Sequence, residues 1–152
     1  MFNLKVSLVP DRLAHYRVPV FDNISKNCNV NRLVVYADLC SDPSGIKKPA
    51  PNELSLFGFT TMPSRDYRLG KMLLLSTGSF KAAFDKSAVF VLWGDAFSPG
   101  NWISALLAKL NGKKIVFWTH GLYGNENFLK KFIRLRFYRL SDALLLYGRN
   151  SR

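Results

Sequence analysis

The chain has 152 residues, 48% of them hydrophobic and 14% aromatic, so it is long enough and apolar enough to bury the core of one globular domain. This composition excludes general disorder. The formal charge of +12, from 22 Lys and Arg against 10 Asp and Glu, predicts an anionic partner, which can be nucleic acid, an anionic membrane surface or a phosphorylated substrate.

The sequence carries no targeting or disulfide pattern. Cys28 and Cys40 lack the spacing of metal ligands, and a chain of this size needs no disulfide, so both are predicted to be reduced. The N-terminus runs into a strand that contains Lys5, unlike a signal peptide, and no apolar run reaches the ~20 residues of a membrane span. We therefore expect a cytoplasmic protein, in solution or peripheral on the inner face of the cytoplasmic membrane.

The first half of the chain alternates between strand and helix patterns. Apolar runs at Leu4 to Pro10 and at Arg32 to Ala37 predict two strands, and the polar loop after the first leads into a short helix near Pro19. The region that follows is less regular. It is interpreted as a loop from Asp38 to Asn52, an edge strand from Leu54 to Met62, a polar stretch from Arg65 to Gly70, an apolar stretch from Lys71 to Leu75 and a short helix from Phe80 to Asp85.

The stretch from Ala88 to Tyr123 has the pattern of one βαβ crossover, whose second strand is predicted from Ile115 to Thr119. Val89 to Trp93 is a continuous apolar run typical of a strand buried on both faces of a parallel sheet. Ser98 and Pro99 suit the N-cap and first position of a helix, and Gly112 suits its left-handed C-terminal cap. The helix is expected to turn one apolar stripe toward the sheet, formed by Trp102, Ile103, Leu106, Leu107 and Leu110.

The last third predicts one more helix and one more strand. Asn125 to Leu140 is an amphipathic helix, and Asp142 to Tyr147 is a final strand. The apolar residues expected to pack on the sheet are Phe128, Leu129, Phe132, Ile133 and Leu140. The order of elements predicts an α/β fold with a doubly wound, mostly parallel, Rossmann-like sheet. Residues 1–148 are assigned to this single domain, and 149–152 to the start of a linker in a longer protein.

Polar residues after the predicted strands are the candidate site residues, because open α/β sheets bind ligands beyond the carboxyl ends of their strands. His120 follows the last strand of the crossover, where its imidazole can exchange a hydrogen bond with a ligand or serve only a structural role. Asp95 can face the same crevice or can cap the turn into the helix. The first loop is either a phosphate-gripping cluster or a solvated loop, and its members are Arg12, His15, Tyr16 and Arg17.

Several functional classes lack their sequence signatures. There is no glycine-rich dinucleotide fingerprint, no P-loop and no G-x-S-x-G elbow, so dinucleotide cofactors, P-loop chemistry and serine hydrolysis are not supported. Recognition-helix, RNP-like and paired Cys/His patterns are also missing, which argues against a nucleic-acid partner and a zinc site. No cofactor and no metal are expected.

The basic helix near the C-terminus predicts a membrane contact. Lys130, Lys131 and Arg134 are candidates to meet anionic lipid headgroups, with the aromatic residues at the interface. In the alternative, the same helix is an ordinary crossover helix whose apolar side packs on the sheet and whose cations face water.

Four segments together resemble the N-terminal domain of GT-B glycosyltransferases, specifically the family-4-like N-terminal domain. They are LVPDRLAHYRVPVFDNI, VLWGD, KIVFWTHG and RFYRLSDALLLYG, and the similarity covers nearly the whole chain. The resemblance implies that His120 is catalytic, near the reacting sugar of the donor. It also implies that His15, Tyr16, Arg17 and Asp95 line the acceptor side. Arg12, from the basic cluster of the first loop, completes the predicted acceptor-binding set.

The resemblance further implies metal-independent transfer of a sugar from a nucleotide-sugar donor to a lipid-linked or polysaccharide acceptor, as in cell-envelope polysaccharide biosynthesis. The donor would be held by a C-terminal domain with paired glutamates, which this chain does not include, so the isolated chain is expected to be inactive. The first loop departs from many relatives because it is not glycine-rich. The alternative is a non-catalytic, flavodoxin-like basic module that docks on anionic lipid or on a partner protein.

Overall fold

The computed structural model of the chain describes residues 4–27, 30–39, 47–70, 72–122 and 126–146. Cys28, Cys40 and the segment 147–152, with the predicted linker, lie outside these described residues. The strands are β1 (Leu4–Val9), β2 (Val30–Ala37), β3 (Thr60–Pro63), β4 (Asp66–Leu69), β5 (Met72–Ser76), β6 (Val89–Trp93), β7 (Lys114–Thr119) and β8 (Ala143–Leu146). The helices are α1 (Val18–Asn27), α2 (Pro51–Leu54), α3 (Thr77–Phe84), α4 (Pro99–Leu110) and α5 (Phe128–Tyr138).

Six strands form one parallel sheet in the order β3-β2-β1-β6-β7-β8, and β4 and β5 form a separate antiparallel pair. The strand order reverses between β1 and β6, which is the topological switch point of a doubly wound sheet. The predicted α/β, Rossmann-like fold is confirmed.

Helices cover both faces of this sheet. On one face, buried residues of α3, α4 and α5 pack on Phe90, Leu92 and Phe117 in one core cluster. On the other face, α1 packs Phe21 in a second cluster with Val35 and the side chains around it. The layers therefore leave the carboxyl ends of β1, β6 and β7 at one edge of the domain.

The ends of α4 match the sequence prediction, but its buried side does not. Pro99 is the first helical residue, and Gly112 has a φ of +72°, the left-handed conformation expected after the helix. The buried residues are small: Gly100, Asn101, Ser104, Ala105 and Ala108. A Cβ on Gly100 would lie 2.6 Å from the Cα of Leu75, so close approach to β5 selects small residues here. The predicted stripe is wrong at Ile103, Leu106 and Leu110, which are exposed.

Leu140 packs against the core cluster as predicted, but the predicted apolar stripe is wrong at three residues of α5. Its buried residues are Arg134, Phe137 and Tyr138, whereas Phe128, Leu129 and Phe132 are exposed. Phe137 decides this orientation, because its ring stacks on that of Phe117 with 4.2 Å between centroids. The helix begins at Phe128 and not at Asn125, because the Oδ1 of Asn127 accepts the backbone N–H of Lys130 as an N-cap.

The predicted edge strand from Leu54 to Met62 is wrong in its first part. Leu54 ends the short helix α2, and the strand β3 starts only at Thr60. The polar and apolar stretches that follow form the β4–β5 hairpin, whose turn contains Gly70 at a φ of +58°. The next helix, α3, begins at Thr77, earlier than the predicted Phe80.

A polar network closes the amino ends of β6 and β7, away from the switch point. The carboxylate of Asp85 accepts hydrogen bonds from Lys113 at 2.5 Å, from Tyr36 at 2.9 Å, and from Ser7 and Ser87. Burial opposes the charge of Asp85, but the hydrogen bonds from Lys113, Ser7 and Ser87 outweigh it and lower the pKa to about 2. Burial, together with the bond to Asp85, raises the pKa of Tyr36 to about 12.

Candidate functional site

The candidate site is an aromatic and basic cluster at the switch point, formed by Arg17, Trp93, Trp118 and His120. Trp93 ends β6 and pairs in register with Trp118 near the end of β7, so both indoles lie at the carboxyl edge of the sheet. Their ring centroids are 6.3 Å apart in an edge-to-face arrangement. Trp118 is also braced by Phe21 of α1, with 5.9 Å between centroids.

Arg17 lies over both indoles. Its Cζ is 5.5 Å from the ring centroid of Trp93 and 5.3 Å from that of Trp118, which is the geometry of a cation–π contact. The Nη1 of Arg17 donates to the carbonyl oxygen of Arg12 at 3.1 Å and so closes the first loop on itself. A guanidinium held in this way presents a fixed positive charge at the switch point.

His120 meets the same cluster from β7. Its exposed ring lies edge-on to Trp93, with 5.9 Å between centroids. The neighbouring residues fix the backbone on both sides: the hydroxyl of Thr119 is 2.7 Å from that of Tyr138, and Gly121 has a φ of +82°. The predicted residues Arg17, just before α1, and His120, just after β7, therefore converge on one indole.

Other members of the predicted acceptor set make their described contacts away from the two indoles. The Nδ1 of His15 is 3.2 Å from the carbonyl oxygen of Lys47, and Tyr16 is exposed beside Arg17, whose Cζ lies 5.8 Å from its ring centroid. The Oδ1 of Asp95 accepts the backbone N–H of Phe97 at 2.9 Å, in the turn before α4. Asp95 therefore caps the turn that precedes the helix N-cap, Ser98, as in the alternative interpretation of this residue. An acceptor contact by Asp95 or His15 stays a prediction.

The β4–β5 hairpin adds an ion-paired residue that the sequence did not predict. The Nη2 of Arg68 is 3.3 Å from Asp11 in the first loop and 3.2 Å from Asp66 in its own strand. Burial raises the pKa of Asp66, and the hydrogen bonds from Ser76 and Arg68 offset only part of that rise. The first loop is therefore tied to the hairpin by Arg68, a contact between segments that no local pattern indicates.

Arg134 requires a correction, because its side chain is not on the basic face of α5. It is 10% exposed, and its Nε donates to the carboxylate of Glu126 at 3.0 Å while its Cζ lies 5.4 Å from the ring centroid of Phe97. Burial opposes its charge, but the hydrogen bonds and charge interactions with Glu126 and Tyr138 together outweigh burial and raise the pKa of the guanidinium. The predicted membrane contact by Arg134 is wrong, whereas Lys130 and Lys131 are exposed.

The cluster is suited to bind a polar, anionic or sugar-like ligand. Indole faces pack against sugar rings, a fixed guanidinium attracts phosphate or carboxylate, and an imidazole exchanges protons or hydrogen bonds near neutral pH. Within the described residues there is no group of three or more His, Cys, Asp or Glu side chains that could hold a metal ion. Over the same residues, no helix has the length and apolar character needed to cross a bilayer.

The fold and this cluster define the chain as a Rossmann-like α/β domain with an aromatic and basic switch point. Comparison with protein-family models and with curated proteins found no match to this sequence.

Proposed function

We propose that the chain is the acceptor-side domain of a GT-B glycosyltransferase, one that moves a sugar from a nucleotide-sugar to a lipid-linked or polysaccharide acceptor. The observation that carries the proposal is the convergence of Arg17 and His120 on Trp93 at the switch point. The resemblance of the four sequence segments supports the same assignment.

Three members of the cluster have distinct parts in this proposal. The indole of Trp93 supplies an apolar face for a sugar ring, and Arg17 supplies positive charge for a phosphate or carboxylate of the acceptor. In this proposal His120 stabilises the reacting hydroxyl or the leaving oxygen through one hydrogen bond or a proton. A second domain would hold the nucleotide and exclude water from the opposite side.

We expect weak, localised ligand binding by the isolated chain. In a ¹⁵N–¹H NMR titration with glucose 1-phosphate, the indole N–H signals of Trp93 and Trp118 should shift with a millimolar dissociation constant. Trp102 lies on α4, and its indole N–H donates to the carbonyl of Ala96 at 2.8 Å. Its signal is therefore an internal control that should not move. Arg17→Gln should weaken this binding about fivefold to tenfold, because it removes a charge-assisted contact at a partly hydrated site.

Arg32→Gln is the matched control, since Arg32 is an exposed cation of β2 that is not part of the cluster. Binding that survives Arg17→Gln but falls with Arg32→Gln, or shifts spread over the whole surface, would place the anion site elsewhere. Tight binding or turnover by this chain alone would contradict the two-domain assignment.

His120→Ala is expected to lower turnover of a transferase that contains this domain by about 10²-fold, the usual effect of removing one polar group at a reacting centre. Its exposed ring makes little contribution to the core, so the melting temperature should stay unchanged. Steady-state kinetics and thermal melting of the same preparation would measure both. Unaltered kinetics with an unaltered melting temperature would leave His120 with a structural role only.

A further inference from the structure

The outward side of α5 is apolar. We define the α5 stripe as Phe128, Leu129, Phe132 and Leu135, which are 85%, 64%, 46% and 41% exposed. The rings of Phe128 and Phe132 stack along the helix with 6.4 Å between centroids, so they form a continuous surface. Within the described residues this stripe faces solvent, although a crossover helix normally turns such residues to the sheet.

Cations accompany the stripe on the exposed surface. Lys130, Lys131, Arg136 and Arg139 are exposed, and the guanidinium of Arg136 lies 5.1 Å from the ring centroid of Phe132. The one acidic side chain between residues 126 and 139 is Glu126, which is 8% exposed and paired with Arg134. The outer surface of α5 is therefore apolar and positively charged.

The apolar surface continues from α5 toward the candidate site. Leu135 also lines a groove of about 320 Å³ between α5 and β8, together with Leu122, Leu144 and Leu146. The groove reaches Gly121, the residue after His120. An apolar chain in this groove would thus end beside the switch point.

We propose that the α5 stripe inserts into the interfacial region of an anionic lipid bilayer, with Phe128, Leu129 and Phe132 among the acyl chains. Aromatic and leucine side chains on one side of a basic helix are the pattern of an interfacial helix that lies in the plane of the membrane. The absence of exposed acid on this helix favours anionic phosphates over a protein surface of mixed charge.

This inference goes beyond the proposed transferase and does not require it. Where both hold, the groove offers the lipid part of a lipid-linked acceptor an apolar path from the bilayer to His120. The sequence also predicted cations at the headgroups and aromatic residues at the interface, but the structure removes Arg134 from this contact. The apolar side chains of the α5 stripe supply attraction that salt does not screen.

Co-sedimentation with vesicles of phosphatidylcholine alone, or with one quarter phosphatidylglycerol, tests the proposal. The chain should bind the anionic vesicles, and a measurable fraction should stay bound at 1 M salt, where the Debye length is about 3 Å. Phe128→Ser combined with Phe132→Ser should weaken vesicle binding at least about tenfold, both at low salt and at 1 M salt. Lys130→Gln combined with Lys131→Gln should weaken it about tenfold, and only at low salt.

Leu56→Ser and Lys86→Gln are the matched controls, since both side chains are exposed and lie outside α5. Neither substitution should change vesicle binding. The proposal would be overturned if the controls lost as much vesicle binding as the phenylalanine variant, or if the phenylalanine variant bound like the wild type. Equal binding of the wild type to neutral and anionic vesicles would also overturn it. Sedimentation equilibrium that finds a dimer dissolved by Phe132→Ser would assign the stripe to a second copy of the chain. None of these measurements uses donor or acceptor, so the result is independent of the transferase proposal.

Discussion

Lys113→Met is expected to lower the free energy of unfolding by about 3–5 kcal/mol, the usual cost of breaking a buried ion pair from one side. The side chain of Lys113 is 3% exposed, and its ammonium group donates to Asp85 at 2.5 Å and to Ser87 and the carbonyl of Ala82 at 2.8 Å. Methionine fills the space but supplies no donor, so three acceptors lose a partner. Urea denaturation followed by circular dichroism measures the loss.

Lys26→Met is the matched control, because it also breaks a Lys–Asp pair. Lys26 is 60% exposed and lies one helical turn from Asp22, so its pair contributes less than about 0.5 kcal/mol. Similar losses in the two variants would mean that the network around Asp85 does not stabilise the fold as a buried pair. A loss of about 3 kcal/mol is a large part of the 5–15 kcal/mol typical of a single domain.

The same network predicts a loss of stability in acid. Because the pKa of Asp85 falls to about 2 in the folded chain, its contribution is complete above about pH 4 and disappears as the pH falls toward 2. With an allowance for partial solvent exposure, the contribution is on the order of 1–2 kcal/mol. The difference in unfolding free energy between wild type and Lys113→Met should shrink by about that amount between about pH 6 and pH 2.5. A constant difference would contradict this assignment.

Sequence patterns identified five of the six parallel strands, β1, β2, β6, β7 and β8, because each contains a compact run of apolar residues. Val89–Trp93 and Lys114–Thr119 were predicted to within one residue, and the cap residues Pro99 and Gly112 gave both ends of α4. The β4–β5 hairpin was missed, because strands of four or five residues give too few alternations to establish a period of two.

The buried sides of α4 and α5 could not be predicted from apolar periodicity. On α4, the close approach of β5 to Gly100 requires small residues, so the larger Ile103 and Leu110 turn outward. On α5, the stack of Phe137 on Phe117 brings the neighbouring Arg134 inside, where Glu126 compensates its charge. Both outcomes depend on the shape of a facing element, which a hydrophobicity pattern does not contain.

The candidate site was partly predicted, because the switch-point rule identifies positions and not contacts. It placed Arg17 and His120 correctly at the same edge of the sheet. The apolar pattern assigns Trp93 and Trp118 only to strands, although each stands at or next to the end of its strand, in VLWGD and VFWTH. A large aromatic residue at such an end is the signal that could have added them.

Glu126→Ala is expected to lower the free energy of unfolding by about 3–5 kcal/mol, because it leaves the guanidinium of Arg134 buried without its carboxylate. If Arg134 instead lay on a solvated, membrane-facing side of the helix, as the sequence predicts, Glu126→Ala would lower the free energy of unfolding by less than about 0.5 kcal/mol. That is the usual effect of changing a solvated residue. Thermal and urea denaturation without lipid distinguish the two.

The double variant Glu126→Leu with Arg134→Met separates the ion pair from its surroundings. Replacing a buried pair by apolar side chains of similar size is often neutral or stabilising, so the double variant should recover most of the loss caused by Glu126→Ala. Lys130→Gln should change stability by less than about 0.5 kcal/mol, because its side chain is exposed on the same helix. If the double variant is as unstable as Glu126→Ala, the loss comes from packing around Phe97 and Tyr138 and not from an unpaired charge.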